Sequence, residues 1–509
     1  MSGSRTKIRR ALLSVWDKTG LEPLVRELHE LGVELVSSGG TAAAIEAAGI
    51  SVTTVEAVTE VPEMLDHRVV TLHPRIHGGL LADLGKPEHL ADLERHGIAP
   101  FELVVSNLYP FRERPGIETI DIGGPALTRA SAKNHEWVTI VSAIDQYEPL
   151  IAELRANGGT VGPDTRRAFA IEAFARTAAY DAAVVEWMQG DDGALPQHLV
   201  LALERTDEQL RYGENPHQQA ARYRRVATTS WWDGVVQHSG VALSYLNFYD
   251  TDAAWKIVHD LDARPTCAII KHANPCGVAV DDDLATAYRR ALECDEQSAF
   301  GGIVAVNGPL DDATIVAMVA GPQADVVIAP GYAPGTVDAL IARRKNTRIL
   351  EAPAPGAERL DLRQISGGFL VQQPHHFETG RDDWRVVTKV APTEEQWRDI
   401  QLAWRICGHV KSNAVVLVKD GQAVGIGAGQ QKRVDSTEVA AKKAAGRAVG
   451  GACASDAFYP FPDGVEAAGA AGVAAIVQPG GGMGDAKVIE VADEMGIAMV
   501  FTGERHFLH

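Results

Sequence analysis

Short apolar runs that alternate with segments of helical periodicity constrain the N-terminal part of this chain more than any other feature. Residues 11–15 form one such run and lead into Asp17-Lys18-Thr19-Gly20. Leu21, Leu24, Val25, Leu28 and Leu31 then recur on one helical face, and Gly32 is placed to stop the helix. Residues 33–36 read as a second strand, running into Ser38-Gly39-Gly40-Thr41 and a small Ala-rich helix; 103–105 and 138–141 are further strands. Strand–helix alternation of this kind predicts an α/β fold, a mainly parallel doubly wound sheet with helices on both faces.

Gly, Asp and Pro cluster without periodicity after Gln189, which places a linker over 190–205 and suggests domains at 1–195 and 205–509. Beyond it the pattern changes. Residues 267–270 form an apolar strand, 271–277 a turn-rich loop, 278–280 a second strand, and a helix follows. The same order of strand, turn, strand and helix returns at 414–418, 419–421, 423–426 and the Ala/Lys-rich segment beyond. This suggests a duplicated unit.

Charge narrows the partners. Lys plus Arg number 48 against 67 Asp plus Glu, a net charge of −19, which disfavours extended polyanions and so excludes a general nucleic-acid binder. A small anion in a local basic cleft is still compatible. The five cysteines include no C-x-x-C pair, which argues against a zinc ribbon or disulfide framework and for a reducing, cytoplasmic setting. The apolar run behind the basic N-terminus ends at Asp17, too early for a secretory signal, and no run approaches the roughly 18 residues of a membrane helix. No membrane partner is expected.

Several segments carry chemistry. Ser38-Gly39-Gly40-Thr41 sits between strand and helix, where free amides favour an anion. Lys18, Thr19, Arg68 and Thr71 can join it at the carboxyl ends of strands. His73 and His77 have the four-residue spacing of helical metal ligands, but Pro74 and Gly78 make a continuous helix doubtful and no third ligand is in sight; no metal is expected. Asp121-Ile122-Gly123-Gly124-Pro125 opens a helix that runs to Lys133, and its Gly pair can present amides to a developing oxyanion. Lys271-His272 follows a buried strand, a placement suited to a base with an adjacent cation. Pro275-Cys276 resembles part of a zinc-deaminase signature, but Ala279 stands where the second Cys belongs. Gly425-Ile426-Gly427-Ala428-Gly429-Gln430 fails the dinucleotide fingerprint at Gln430.

Taken with Thr71-Leu72-His73-Pro74, Asn107-Leu108-Tyr109-Pro110-Phe111, Ala132-Lys133-Asn134-His135, Leu210-Arg211-Tyr212-Gly213-Glu214-Asn215-Pro216-His217-Gln218, Ser298-Ala299-Phe300-Gly301-Gly302, Ile328-Ala329-Pro330-Gly331-Tyr332, Ser455-Asp456-Ala457-Phe458 and the tail Arg505-His506-Phe507, these motifs closely resemble a family of bifunctional purine-biosynthesis enzymes. That family joins phosphoribosylaminoimidazolecarboxamide (AICAR) formyltransferase to IMP cyclohydrolase, and the resemblance spans nearly the whole chain. It implies a methylglyoxal-synthase-like cyclohydrolase domain, then a formyltransferase region of two cytidine-deaminase-like units. It further implies 10-formyltetrahydrofolate as co-substrate, AICAR, formyl-AICAR and IMP as ligands, and a homodimer whose formyltransferase sites draw on both chains.

The resemblance also implies residue roles. In formyl transfer His272 is the base and Lys271 stabilises the transition state or protonates the leaving nitrogen. Arg211, Tyr212, Gly301, Asp325, Asn413, Arg433, Phe458 and Arg505 fall at AICAR-binding positions, and Val434, Asp463, Gly482 and Met483 at folate positions. In ring closure Lys133 carries the proton, with Asp121 and Tyr109 beside it. Ser14, Lys18, Thr19, Ser38, Gly39, Gly40, Thr41, Arg68, Thr71, Asn107, Ile122, Gly123 and Gly124 bind formyl-AICAR and IMP. Three features depart from the family pattern: Trp16 replaces a usual Ser, Val70 a usual Lys, and the link from Phe111 to Asp121 is short. Two alternatives fit the same residues: a formyltransferase with a degraded cyclohydrolase site, and a non-catalytic AICAR/IMP-binding protein.

Overall fold

A computed structural model of the chain describes residues 4–190, 193–261 and 263–509. Residues 1–3 of the basic N-terminal stretch, and 191–192 within the linker expected over 190–205, lie outside the described residues. The chain divides into two units, Met1–Leu203 and Glu204–His509.

The first unit is built on β1 (Arg10–Val15), α1 (Leu21–Glu30), β2 (Glu34–Ser37), α2 (Gly39–Ala47), β3 (Thr53–Thr54), α3 (Pro74–Leu81), β4 (Leu103–Asn107), α4 (Gly123–Lys133), β5 (Thr139–Val141), α5 (Tyr147–Ala156) and α6 (Pro163–Gln189). The strands form one parallel sheet in the order β3-β2-β1-β4-β5. Successive residues of β1 face opposite sides, and both sides are covered. Ala11, Leu13 and Val15 pack with Leu24 and Leu28, while Leu12 packs with Ile76 and Leu127. This is why the strand reads as a continuous apolar run. The sheet grows to one side through β2 and β3 and to the other through β4 and β5. Its switch point therefore lies at β1 and β4, where open α/β sheets leave a crevice beyond the strand carboxyl ends. The break expected from Pro74 and Gly78 is corrected at Gly78 only: α3 starts at Pro74, where a missing N–H costs nothing, and runs unbroken through Gly78 to Leu81. The His73 ring accepts the Arg75 amide at 3.2 Å, which makes it the cap of a helix that includes His77.

The second unit carries a 12-stranded sheet. Its elements are β6 (Val236–Ser239), α7 (Tyr245–Asp260), β7 (Thr266–Lys271), β8 (Asn274–Val280), α8 (Leu284–Cys294), β9 (Ile303–Val306), α9 (Asp312–Ala320), β10 (Val326–Ala329), α10 (Thr336–Arg343) and β11 (Arg348–Glu351). An exposed hairpin, β12 (Asp361–Ile365) and β13 (Gly368–Gln372), and β14 (Arg385–Val386) follow. Then come α11 (Glu394–Cys407), β15 (Val415–Lys419), β16 (Gln422–Gly427), α12 (Arg433–Ala444), β17 (Ala452–Ser455), α13 (Asp463–Ala470), β18 (Ala475–Gln478), α14 (Asp485–Glu494) and β19 (Ala498–Phe501). The order across the sheet is β6-β11-β10-β9-β7-β8-β16-β15-β17-β18-β19-β14.

That order contains the duplication. Reading outward from the centre, β8-β7-β9-β10-β11 and β16-β15-β17-β18-β19 are the same arrangement twice, with β8 and β16 meeting antiparallel through Ala279 and Gln422. One face of the sheet is a continuous core shared by both copies, where α7 contributes Trp255 and α11 contributes Trp404. The opposite face holds two separate cores, one per copy.

The loop expected at 271–277 is shorter than its composition suggests. Only His272 and Ala273 turn, both with φ of 55°, and β8 begins at Asn274. Pro275 is accommodated because the ladder shifts register between Ile269 and Ile270, opposite it, so its missing N–H breaks no regular pair.

One glycine in each of the two hairpins also has a structural explanation. A Cβ on Gly277 would strike the Ala291 carbonyl of α8, and one on Gly427 the Ser436 carbonyl of α12. Both permit strand and helix to approach closely. Gly277→Ala should destabilise the second unit by about 2 kcal/mol or more, because two backbones must separate. Gly356→Ala, with nothing within 4 Å of the added methyl, should leave the unfolding midpoint in place. Thermal unfolding of the two variants checks this; equal midpoints would refute the packing account.

Candidate active sites

At the switch point of the first unit lies a cavity of about 620 Å³. Of the residues expected to bind or act there, it is lined by Ser14, Lys18, Ser38, Gly39, Gly40, Thr41, Arg68, Thr71, Asn107, Tyr109, Asp121, Ile122, Gly123 and Gly124. The sheet explains most of the gathering: these residues lie at the ends of β1, β2 and β4 or open α2 and α4, and Arg68 and Thr71 come from the segment before α3. The α2 N-terminus leaves its first amides without helical partners, and Ser38 makes no side-chain cap to them. The Lys18 ammonium lies 3.7 Å from where a Cβ on Gly40 would stand. Amides, helix dipole and ammonium together form an anion cradle.

Several side chains have structural duties instead. The Thr41 hydroxyl donates to the Val15 carbonyl at 3.0 Å and accepts its amide at 3.2 Å, which leaves the Thr41 N–H as its donor for a ligand. Asn107 accepts the Trp16 and Asp17 amides at 2.7 and 3.0 Å and donates to the Asp17 carbonyl at 2.8 Å, fixing the turn after β1. Arg68 is ion-paired with Glu118. Thr19 is not on the cavity wall; its amide donates to Asp17 Oδ1 at 2.8 Å.

The acid/base end differs from expectation in two respects. Gly124 is not a free oxyanion donor, because its amide donates to Asp121 Oδ1 at 2.8 Å, which leaves Gly123 at the exposed helix start. Lys133 does not line the cavity. It ends α4, whose ten residue steps from Gly123 span about 15 Å. Of the acid/base residues expected there, Asp121 and Tyr109 are on the wall, which Glu63, Asp66, His67 and Glu118 also line. Burial raises the Asp121 carboxyl, opposed by the Gly124 and Tyr109 amides. Burial, then the Asp121 charge, raises the Tyr109 phenol. Trp16 meets Tyr109 edge-on, ring centroids 5.0 Å apart, and Val70 also lines the cavity. Two further contacts fix Asp121: its amide donates to the Tyr180 hydroxyl of α6 at 2.7 Å, and that hydroxyl donates to the Thr119 carbonyl at 2.6 Å.

In the second unit the expected residues fall along one edge of the large sheet. The hairpin turn Lys271–His272–Ala273 lies at the carboxyl end of β7. Antiparallel pairing brings the amino ends of β9, β10 and β11 to the same edge, with Gly301, Asp325 and Arg348. Through β16 the edge continues to the amino end of β15, with Asn413, and to the carboxyl ends of β17, β18 and β19. These lead to Asp456, Phe458 and Asp463, to Gly482 and Met483, and to Arg505, while Arg433 and Val434 open α12 after β16.

Local bonds hold this edge in two groups. Lys271 donates to the Phe300 and Gly301 carbonyls at 2.9 and 3.1 Å. Asp250 accepts the Ala273 amide at 2.8 Å. Burial raises the Asp250 carboxyl, and the nearby His272 and Lys271 charges oppose this. Arg211 stacks over Tyr212, 5.6 Å from the ring centre, and its charge reaches Arg348. In the other group Arg433 pairs with buried Asp456 and donates to Ser455 Oγ at 2.8 Å and Asn413 Oδ1 at 2.9 Å. Ser412 donates to Asp456 Oδ2 at 2.5 Å. Asn274 bridges the groups by accepting the Lys411 amide at 3.0 Å. Phe458 stands against Gly482, and Met483 is fully exposed. Asp456, Asp250 and Tyr180 had no assigned role in the sequence. The signal available for Asp250 was a carboxylate on the buried face of a capped helix.

Comparison with known proteins finds relatives of both units, though the match boundaries do not follow the division between them. Residues 20–129 match the family model of the MGS-like domain, and 131–443 that of the AICARFT/IMPCHase bienzyme. A bifunctional purine biosynthesis protein PurH from Dinoroseobacter shibae is 50% identical across 99% of both chains. Proteins of the same name from Roseobacter denitrificans and a Cyanothece species are 49% identical over 99% of both chains, and 48% identical over 98% of this chain and 99% of theirs.

Proposed function

The chain belongs to the AICARFT/IMPCHase bienzyme family, bifunctional enzymes of purine biosynthesis, and from that premise we propose how its two reactions are divided between its units. Ring closure of formyl-AICAR to IMP takes place in the first-unit cavity, and formyl transfer from 10-formyltetrahydrofolate to AICAR at the sheet edge of the second. The observation that carries this division is the gathering of cradle, acid and phenol at one switch point, inside one unit.

In formyl transfer the 5-amino nitrogen of AICAR attacks the formyl carbon. His272 takes the amine proton as the new C–N bond forms. The bond to N10 of the folate then breaks, and Lys271 protonates that nitrogen or stabilises the charge on the formyl oxygen. Arg433, Asn413, Arg211, Tyr212, Gly301, Asp325, Phe458 and Arg505 bind AICAR. Val434, Asp463, Gly482 and Met483 face the folate. Lys271 and Asn413 are separated by three strand spacings, about 14 Å. Two such half-sites in one chain favour a homodimer in which each site combines residues of both chains. The exposed hairpin β12–β13, with Phe369 and Leu370 on its surface, is apolar area of the kind a second chain covers.

In ring closure the carboxamide nitrogen attacks the formyl carbon and gives its proton to Asp121. Tyr109, kept neutral by its raised pKa, protonates the formyl oxygen to a hydroxyl; that hydroxyl takes the proton held by Asp121 and leaves as water as the C=N bond forms to the former formamide nitrogen, whose own proton returns to Tyr109. The α2 amides and Lys18 hold the phosphate. Lys133 carries no step in the cavity of its own chain.

Purified protein given AICAR and 10-formyltetrahydrofolate should release tetrahydrofolate and form IMP. In Lys18→Ala the KM for supplied formyl-AICAR should rise about tenfold, the loss of one charge-assisted hydrogen bond, while formyl transfer keeps its rate. An unchanged KM would remove Lys18 from the cradle, and loss of formyl transfer would undo the division between units.

A further inference from the structure

We propose that Asp250 is a positioning residue for His272: its carboxylate holds the two-residue turn that presents the imidazole at the sheet edge. The proposal rests on His272 being the base. His272 and Ala273 both have φ of 55°, a left-handed conformation that costs non-glycine residues energy unless their surroundings impose it. The Ala273 amide, which has no strand partner in the turn, donates to Asp250 Oδ1 at 2.8 Å, and the His272 amide lies beside the same carboxylate. Asp250 itself is fixed. It is buried in α7, a helix started by a reciprocal capping box between Ser244 and Asn247.

The duplicated half contains the same device. Thr393 and Gln396 form the capping box of α11, and Asp399 sits at the same step of its helix as Asp250 does of α7. Asp399 accepts the Asp420 and Gly421 amides at 2.9 and 2.8 Å, in the turn between β15 and β16. Asp420 and Gly421 also have positive φ, 51° and 79°. The turn after Lys419 thus repeats the turn after Lys271, with Asp420 in the place of His272. Antiparallel joining of the copies puts this second turn at the opposite sheet edge, away from every residue assigned to AICAR or folate. A carboxylate holding a left-handed turn is therefore a property of the repeat, and in the first copy that turn carries the base.

The second copy supplies the control. Asp250→Ala should lower kcat of formyl transfer by about 10- to 100-fold, the cost of misplacing a reacting group by about an ångström, with the KM for AICAR within twofold. Asp250→Asn keeps an oxygen acceptor and should stay within a few-fold of the native kcat. Asp250→Glu keeps the charge but shifts the acceptor, and should lose at least tenfold, which preserves the test if the alanine variant fails to fold. Asp399→Ala should lower the thermal midpoint and leave kcat unchanged. A native kcat in both Asp250→Ala and Asp250→Glu, or an equal kcat loss in Asp399→Ala, would overturn the positioning role. His272→Ala is measured alongside: turnover retained there overturns the assignment of His272 itself, whereas a dead His272→Ala beside a full-speed Asp250→Ala overturns the positioning role alone.

Discussion

His272→Ala should abolish formyl transfer while cyclisation of supplied formyl-AICAR continues at the native rate. The amino group of AICAR is a weak nucleophile, and its proton must leave as the C–N bond forms. A positioned base contributes about 10²- to 10⁴-fold to such a step, so the variant should lose at least two orders of magnitude in kcat. The two buried carboxylates at that edge are already engaged. The Asp250 carboxylate is occupied by the turn amides, and Asp456 by Arg433 and Ser412. Cyclisation is untouched because every residue assigned to it belongs to the first unit. Tetrahydrofolate release reports the first reaction, and IMP formed from formyl-AICAR the second. Loss of both in a folded variant, or retention of the first, would sink the assignment.

The elements around both sites were legible in the sequence because their periodicities are strong. The run ending at Val15 and the Gly-rich turn after Ser37 read directly as strand and helix start, and β-then-α order already places both turns at one sheet edge. Sheet order was not legible. Nothing local in Asp325, Arg433 or Arg505 says that β7 pairs with β9 and β8 with β16, and only that pairing brings them to one edge. Competition for hydrogen bonds was also hidden: the Gly124 amide is taken by a carboxylate three residues earlier, and the Thr41 hydroxyl by Val15. The distance of Lys133 from the cavity was legible in the spacing. Asp121 and Lys133 bracket a helix, and a helix between two residues separates them by its length. The loop expected at 271–277 failed because Pro and Gly mark a bulged strand as readily as a loop.

That separation gives the second large effect. Asp121→Asn should cost cyclisation about 10²- to 10⁴-fold and leave formyl transfer unchanged. The amide keeps the acceptor for Gly124, so the site keeps its shape and loses only the group that takes the proton. Burial raises the Asp121 carboxyl above the ordinary carboxylate value, which is near 4. A base must be ionised to act, so native cyclisation should fall on the acid side of that raised value, at higher pH than an exposed Asp would give. Stability carries the opposite sign. A carboxyl whose pKa is raised by folding binds its proton more tightly in the folded state, so its ionised form works against folding once the pH exceeds the unfolded value. At neutral pH Asp121→Asn should therefore leave the thermal midpoint of the first unit unchanged or higher, while activity falls. A lowered midpoint would mean that the lost activity reflects damaged structure. Lys133→Ala completes the comparison. About 15 Å along α4 from the cavity, it should cost cyclisation less than Asp121→Asn does. The reverse order would return the proton transfer to Lys133, reaching the cavity from a second chain.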